Sequence, residues 1–537
     1  MDAVLSVEEV RRLEDLIEKS GTSKAELMEA AGEALAKAVM AHAPSRALIL
    51  AGFGNNGGDG WVAADILSHE GVHVDVVTPV EPDELRSPLA RHVARRTAAR
   101  DVSVTVGPSR DELSELVEKA DVVVDALLGT GFHGEVRVPF SIWIDVVNSL
   151  CPAVISADVP SGVNADTGEV AALAIRADKT VTMLAAKVGL YSADAPEFAG
   201  DIEVAPLIDD LGDVLPDVDS CVSRVSAEDF LPCMVPLPNN IDKYSRGSVL
   251  VVAGSAAYPG AAMMAAKAAA RAGAGYVAVA APDACANLIR MALPSIPVIA
   301  VQSDARGAFG GGAKAAIAKI AGRYDCVLAG CGMTTGSGCV QVVSELLQAD
   351  VPLVLDADAL NCLAKLAPGN LDDYPELYRR EAPLALTPHY RELSRLVGGE
   401  QVEHLVDAIE GAQKLVWASG SSDTVVVAKG PTTAVVGVER AFVPQSGPNA
   451  LATAGSGDVL AGIAAGIMAT TRDEDLPLEL VLSYAVNVHS EAGHVAVERF
   501  GDRSVMATDL PDCIGEAYHR LELAAIGGLE AIDGKES

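Results

Sequence analysis

Positive charge is what this chain lacks most. Its 40 lysines and arginines face 74 aspartates and glutamates, a formal net charge of −34. Such a surface repels phosphate backbones and anionic lipid, so nucleic acid and membranes are excluded as expected partners. The excess also serves solubility. A nucleotide ligand then needs local donors or bound cations to offset the field. Paired cysteines are missing too. Nine cysteines stand at 151, 221, 233, 285, 326, 331, 339, 362 and 513, an odd number with no CxxC pair or Cys/His cluster. Reduced, mostly buried thiols and a cytoplasmic location are expected. Cys331 lies in a glycine-rich loop, where a packing role is assigned to it. Aromatic residues are scarce at 4%, but 50% hydrophobic and 21% charged residues keep the composition globular.

Long apolar runs are also absent. No stretch reaches the ~18 uninterrupted apolar residues of a membrane span. The longest candidate, Pro259 to Pro282, contains Lys267 and Arg271 and reads as a small-residue helix followed by a strand. The acidic start, Met1 to Glu9, reads as a helix beginning and not as a signal peptide.

At 537 residues the chain exceeds one ordinary core, and two domains are expected, 1–222 and 223–537. In the first half, apolar runs at 46–53, 72–78, 121–128 and 153–158 alternate with helix-like stretches at 60–70 and 86–99. Continuous apolar strands separated by helices predict a parallel sheet covered on both faces. Ligands of such sheets sit at the carboxyl ends of the strands, where Asp59, Asp125 and Asp158 fall. Residues 209–240 break the rhythm with Asp209, Asp210, Asp213, Asp217 and Asp219, then Pro232, Pro236 and Pro238, and read as a linker. Strands restart at 248–253 and recur near 276–281, 326–330, 352–356, 383–387 and 424–428, with helices at 260–272 and from Asp458. The halves show no close repeat, so both are α/β but different.

Two glycine-rich segments end in aspartate. Residues 52–60 hold five glycines in nine positions, with Asn55, Asn56, Gly57, Gly58 and Asp59 at their centre. Glycine permits positive φ and close approach of backbone to ligand. Free N–H groups at a following helix start suit an anion. Two more strand exits follow: Asp125 with Leu127-Leu128-Gly129-Thr130-Gly131, and Asp158-Val159-Pro160-Ser161-Gly162. Asp125, Ser161 and the Asn56 amide are hard oxygen groups that could together hold a monovalent cation; singly, each also suits a turn cap. Lys187, after Asp178-Lys179-Thr180, suits a phosphate or a solvated surface equally. The second segment, Gly455-Ser456-Gly457-Asp458, opens a helix with a carboxylate where phosphate chemistry would occur. Asp356-Ala357-Asp358, Thr387-Pro388-His389 and Lys429-Gly430-Pro431-Thr432-Thr433 also end strands. Singly, each aspartate suits a cap, and His389 suits core or surface.

The N-terminal motifs, in this order, resemble the NAD(P)H-hydrate epimerases over about residues 5–210. The resemblance implies a Rossmann-like, three-layer domain that interconverts the R and S epimers of hydrated NADH or NADPH. It implies substrate contacts by Asn55, Asn56, Gly57, Gly58, Asp59, by Gly129, Thr130, Gly131, Phe132, His133, Gly134 and Glu135, and by Asp158, with K+ on Asn56, Asp125 and Ser161. Epimerisation at a hemiaminal-like carbon needs the hydroxyl to leave and return on the other face, and Asp158 is the expected proton shuttle. From Lys243-Tyr244 to Asp509 the chain resembles the ribokinase-like, ADP- or ATP-dependent NAD(P)H-hydrate dehydratases. That resemblance implies hydrate contacts by Ala261, Gly332, His389 and Asp458, and adenine-nucleotide contacts by Lys429 to Thr433 and Gly457. It implies Mg2+ and ADP, Asp458 as the catalytic base, and AMP, phosphate and NAD(P)H as products. The family pattern TPHxGE is here Thr387-Pro388-His389-Tyr390-Arg391-Glu392, so Arg391 replaces a glycine. Either the turn bends differently or Arg391 projects toward the site. Asp242 stands where histidine usually precedes Lys243-Tyr244. A homo-oligomer is expected. The competing readings are a small-molecule kinase on the second fold and a scaffold role for the first. The intact Asn56, Asp125, Asp158 and Ser161 set argues against the scaffold.

Overall fold

A computed structural model describes residues 2–533 apart from 101, 219–221, 235, 238, 239, 241, 244, 367–379 and 472–474. Asp219, Cys221, Pro238 and Tyr244, singled out above, lie outside the described residues. The chain divides into two compact units, Asp2–Val222 with His404–Val406, and Ser223–Glu403 with the segment from Asp407 onward.

In the N-terminal unit, seven strands lie in the order Ser103–Val106, His73–Thr78, Arg46–Ala51, Val122–Ala126, Ala153–Ala157, Lys179–Met183 and Asp201–Ala205. Every neighbouring pair is parallel. Strand order reverses between Arg46–Ala51 and Val122–Ala126. At such a switch point, adjacent connections leave to opposite faces and open a crevice beyond the strand ends. The apolar residues of both strands are buried, with Leu48, Ile49, Leu50, Val123 and Val124 fully enclosed. Helices Asn55–His69 and Lys24–Met40 pack on one face; Arg110–Lys119 and Phe140–Leu150 belong to the core on the other. The chain start differs from the helix expectation. Asp2–Leu5 is a short strand parallel to Ala186–Lys187, and the helix Val7–Ser20 begins only after the Ser6–Glu9 capping box.

In the C-terminal unit the strand order is Val298–Val301, Tyr276–Pro282, Ser248–Val252, Cys326–Ala329, Leu353–Leu355, Leu384–Leu386, Thr424–Ala428, Ala434–Val436 and Ala441–Val443. Pairing is parallel through Thr424–Ala428 and antiparallel beyond it. Here the order reverses between Ser248–Val252 and Cys326–Ala329. The Pro259–Pro282 segment is a helix, Pro259–Arg271, followed by a strand, as its charges imply. That helix lies against Ser456–Thr470. A Cβ at Gly462 would come within 2.3 Å of the Ala265 carbonyl, so glycine is what lets the two backbones approach. Among the described residues no helix is long and apolar enough to cross a membrane. The 209–240 stretch is not bare linker: Leu211–Val214, Leu215–Val218 and Glu228–Cys233 are short helical turns.

Two candidate active sites

The first glycine segment is less of a loop than its composition suggests. Gly54 caps the helix Asn55–His69, so the Asn-Asn-Gly-Gly-Asp run is its first turn. None of its five glycines has positive φ. Four of them, Gly52, Gly57, Gly58 and Gly60, serve close approach instead. A Cβ at Gly57 would lie 2.2 Å from the Gly52 carbonyl, and one at Gly60 would lie 2.8 Å from Ala126 Cβ. Helix start and sheet edge therefore touch, and Asn56 and Asp59, one turn apart, face the crevice. Gly57 and Gly58 are buried and do not line it.

The crevice is a cavity of about 1080 Å³. Asn55, Asn56, Asp59, residues 129–135 and Asp158 line it, with Glu14, Lys24 and Arg86. Beneath it, Asp125 is fully buried. Its carboxylate accepts hydrogen bonds from Ser156 Oγ at 2.9 Å, Ser161 N at 2.8 Å and Ser161 Oγ at 2.5 Å. Burial pushes its pKa up, and these hydrogen bonds oppose the shift. Asn56 Nδ2 donates to the Leu128 carbonyl at 3.1 Å, and Ser161 Oγ accepts from Leu128 N at 2.9 Å. Asn56 Oδ1 is buried with no hydrogen-bond partner. Asn56, Asp125 and Ser161 thus converge around Leu128 and leave one acceptor oxygen unsatisfied, as a cation ligand would be.

Asp158 sits just past its strand in the left-handed region, φ 67°. Its carboxylate accepts from Met183 N at 3.2 Å and pairs with Lys187. Neither role considered for Lys187, phosphate contact or surface solvation, survives: the side chain is fully buried and saturated by protein. Its pairing partner stands 29 residues away in sequence, beyond any local pattern. Lys179 pairs with Glu203 at 2.9 Å, and Asp178 accepts from Val154 N at 2.8 Å, so both are structural. Glu14, from the helix Val7–Ser20, had no motif to mark it.

The second site gathers residues from five strand ends. Asp356 is buried. It accepts from Thr387 Oγ1 at 2.7 Å and pairs with Lys429 Nζ at 2.6 Å. Gly457 lies against the same lysine: a Cβ there would be 3.2 Å from Nζ. Asp458 follows on the first turn of Ser456–Thr470, behind Gly455 at φ 98°. Burial, then the charge of Asp356, pushes the Asp458 carboxyl up to about 6. The Cys331 thiol donates toward Asp356 Oδ2 at 3.8 Å, and Cys331, Asp356 and Asp458 each offer a ligand atom within 4.8 Å of the others. Cys331 is buried, in keeping with packing, and its thiol also reaches the Asp356 carboxylate. Gly332 stands at φ 65°, and a Cβ on it would meet Tyr258 at 2.8 Å and Ala261 at 2.9 Å, so Ala261 and Gly332 form one wall.

His389 bridges in parallel to Lys429. It caps the helix Tyr390–Leu396, its Nδ1 accepting from Arg391 N at 3.1 Å and Glu392 N at 3.3 Å. Burial and Lys429 hold its pKa down. The Arg391 departure does not bend the turn, because position 391 is ordinary first-turn helix with an exposed side chain. Tyr390 supports the loop after Lys429: its hydroxyl donates to the Thr432 carbonyl at 3.3 Å, and its ring lies 2.3 Å from where a Gly430 Cβ would be. Thr432 Oγ1 meets Ser446 Oγ at 3.2 Å. His489, not foreseen from sequence, is buried with Nε2 3.1 Å from Ser456 Oγ, and its pKa is pushed down to about 4 by burial. It braces the loop before Asp458. A histidine within an apolar helix carries no signal of that contact.

Residues 24–189 match the family model described as YjeF-related protein N-terminus, and residues 249–516 match that of NAD(P)H-hydrate dehydratase. The chain is similar to the bifunctional NAD(P)H-hydrate repair enzyme Nnr of Salinibacter ruber, 36% identical over 525 residues, covering 93% of this chain and 92% of that protein. It is also similar to the enzyme of the same name from Coxiella burnetii, 33% identical over 510 residues, covering 94% and 96%. Among solved structures, the ADP/ATP-dependent NAD(P)H-hydrate dehydratase of Bacillus subtilis co-crystallised with ATP/Mg2+ aligns at TM-score 0.44 and 27% identity, covering 55% of this chain and 97% of that one. The chain belongs to the bifunctional NAD(P)H-hydrate repair enzymes, an NAD(P)H-hydrate epimerase joined to an NAD(P)H-hydrate dehydratase.

Proposed function

We propose that the two sites divide the repair as follows. The N-terminal cavity holds either hydrate epimer through Asn55, Asn56, Asp59, the 129–135 loop and Asp158, and Asp158 moves the proton as the hydroxyl leaves and returns. Asn56, Asp125 and Ser161 hold K+. The unpartnered Asn56 Oδ1 beside two anchored oxygens supports this, because a large monovalent cation satisfies oxygens that no donor reaches. When bound, K+ supplies fixed positive charge beneath an anionic ligand.

The C-terminal site takes the S hydrate against Ala261, Gly332, His389 and Asp458, and ADP against Lys429 to Thr433 and Gly457. Asp458 removes the proton from the hydrate hydroxyl, whose oxygen attacks the terminal phosphoryl group of ADP and releases AMP. The carbon–oxygen bond to phosphate then breaks and the neighbouring ring carbon loses a proton, which forms the double bond of the reduced nicotinamide ring. The observation that carries this reading is the placement of Asp458: a carboxyl poised near neutrality, on a helix start, beside a Lys429 ammonium already neutralised on one side by Asp356. With Asp356 taken up by Thr387 and Lys429 and Asp458 kept as the base, Mg2+ would be carried to this site by the ADP phosphate oxygens, which suit a hard cation as the Cys331 thiol does not.

Incubation of the full chain with hydrated NADH and ADP tests the reading. Return of the reduced-nicotinamide absorbance, with AMP and phosphate formed one for one, is expected. Accumulation of a stable phosphorylated product would instead favour a small-molecule kinase.

A further inference from the structure

Lys187 raises a question that the cation and substrate assignments leave open. Its ammonium donates to three acceptors: the Asp158 carboxylate, Thr182 Oγ1 at 3.1 Å and the Met183 carbonyl at 2.8 Å. Three donors meet three acceptors, and the side chain has no exposed surface. It cannot touch a ligand. Burying an ammonium is costly, and it persists only against a well-placed carboxylate. That carboxylate keeps 15% of its side-chain surface and faces the cavity.

Three more carboxyls line this cavity: Glu135 on the 129–135 loop, and Glu14 on the helix Val7–Ser20 and Asp59 on Asn55–His69, whose charges couple to Asp158. With the one fully buried ammonium already committed to Asp158, repulsion among Glu14, Asp59 and Asp158 favours a proton on one of them. Burial first, then the Asp158 and Glu14 charges, push Asp59 well above the usual carboxylate range. Burial and Asp158 likewise raise Glu14, opposed by Lys187 and by Lys24 from the helix Lys24–Met40. Arg11, Arg86, Arg137, His133 and Glu135 complete the charged and titratable lining.

We infer that Asp59 is a second catalytic residue of the epimerase, the acid that hands its proton to the departing hydroxyl, and that Lys187 is a positioning residue that fixes Asp158 as the basic partner. This rests on the epimerase reading of the N-terminal half. The carbon–oxygen bond breaks as the ring-nitrogen lone pair forms a carbon–nitrogen double bond, and the Asp59 proton leaves with the oxygen as water. Water then adds to the opposite face. Its oxygen forms the new carbon–oxygen bond, the double-bond pair returns to nitrogen, and the released proton passes to Asp158. One proton has moved between two carboxyls, and the reverse conversion moves it back. No oxidant or reductant enters.

The experiment is the pH profile of R-to-S exchange by the full chain without ADP, read chromatographically, for the parent and for Asp59→Asn, Lys187→Met and Glu14→Gln. An acid works only while it holds its proton, so parent activity is present at low pH and is lost as pH rises through the raised Asp59 value. Asp59→Asn should lower kcat by about 100-fold with KM little changed and erase that alkaline limb. Lys187→Met should lower kcat by about tenfold or more at unchanged KM. Glu14→Gln should keep the limb. An Asp59→Asn protein that retains rate and limb, or a limb that disappears with Glu14→Gln alone, overturns the inference. Should Lys187→Met fail to fold, the cavity-lining Asp59→Asn and Glu14→Gln variants still decide it. A parent enzyme that exchanges no epimers would defeat the epimerase reading itself, a separate outcome.

Discussion

The two sites are built on the same three charges, arranged in opposite senses. Each has a carboxyl whose proton is held unusually tightly, Asp59 or Asp458, beside a lysine–aspartate pair. In the N-terminal pair the lysine is sealed and the aspartate is open: Lys187 shows no surface and Asp158 keeps 15%. In the C-terminal pair the aspartate is sealed and the lysine is open: Asp356 keeps 2% and Lys429 keeps 17%. In the proposed roles, the buried member of each pair sets a charge and the more exposed member meets the ligand. An open carboxylate suits proton transfer at a hydroxyl-bearing carbon. An open ammonium suits a phosphate. One electrostatic device, turned inside out, thus serves two chemistries in one chain.

The largest expected effect separates the halves outright. Asp458→Asn should lower dehydration of the S hydrate by at least about 100-fold while R-to-S exchange continues, measured on one sample by absorbance recovery and by epimer chromatography. Loss of both activities would mean that the sites are not chemically independent. Next, Lys429→Met strands the sealed Asp356 and should cost about 3–5 kcal/mol, read as a lower urea midpoint. The corresponding Lys187→Met leaves Asp158 at a wet cavity wall and should cost about 1–3 kcal/mol. Equal losses would erase the inside-out distinction.

A third outcome concerns pH. Asp458 must be ionised to act as a base, and its carboxyl is pushed up to about 6. Dehydratase kcat should therefore be full above that value and fall as pH drops through it, whereas the epimerase limb runs the other way, lost as pH rises. Replacing K+ by a bulky organic cation should lower exchange by about tenfold and leave dehydration unchanged, since Asn56, Asp125 and Ser161 belong only to the first site. The smallest effect is Gly455→Ala. At φ 98° an alanine costs about 1–2 kcal/mol, and its Cβ would press within 2.5 Å of the Met264 methyl. A shift of a few degrees in the melting point, with slower dehydration, is expected.

Much of this was legible before any coordinates. The apolar runs that end in Asp125, Asp158 and Asp356 place those carboxyls at strand exits, because a continuous hydrophobic strand must be buried and its first polar residue marks the edge. The glycine density around Asn56 and Gly457 signals close backbone approach. What misled was the kind of approach. Composition suggested a phosphate-cradling loop at 52–60, whereas the glycines let helix Asn55–His69 seat directly on the sheet. Of the two readings of Arg391, the differently bent turn falls, because the residue lies in plain helix behind a histidine cap.

Sequence by itself determined the alternation of strands and helices, the acids and glycines at strand ends, and the motif order that marks both activities. Those are local or strictly ordered properties, carried by neighbouring residues. Tertiary structure alone decided that Lys187 meets Asp158, that Glu14 joins Asp59, that His489 braces Ser456, and which member of each lysine–aspartate pair keeps exposed surface. Burial depends on what packs from distant parts of the chain. The same two residue types therefore point outward with opposite signs in the two halves.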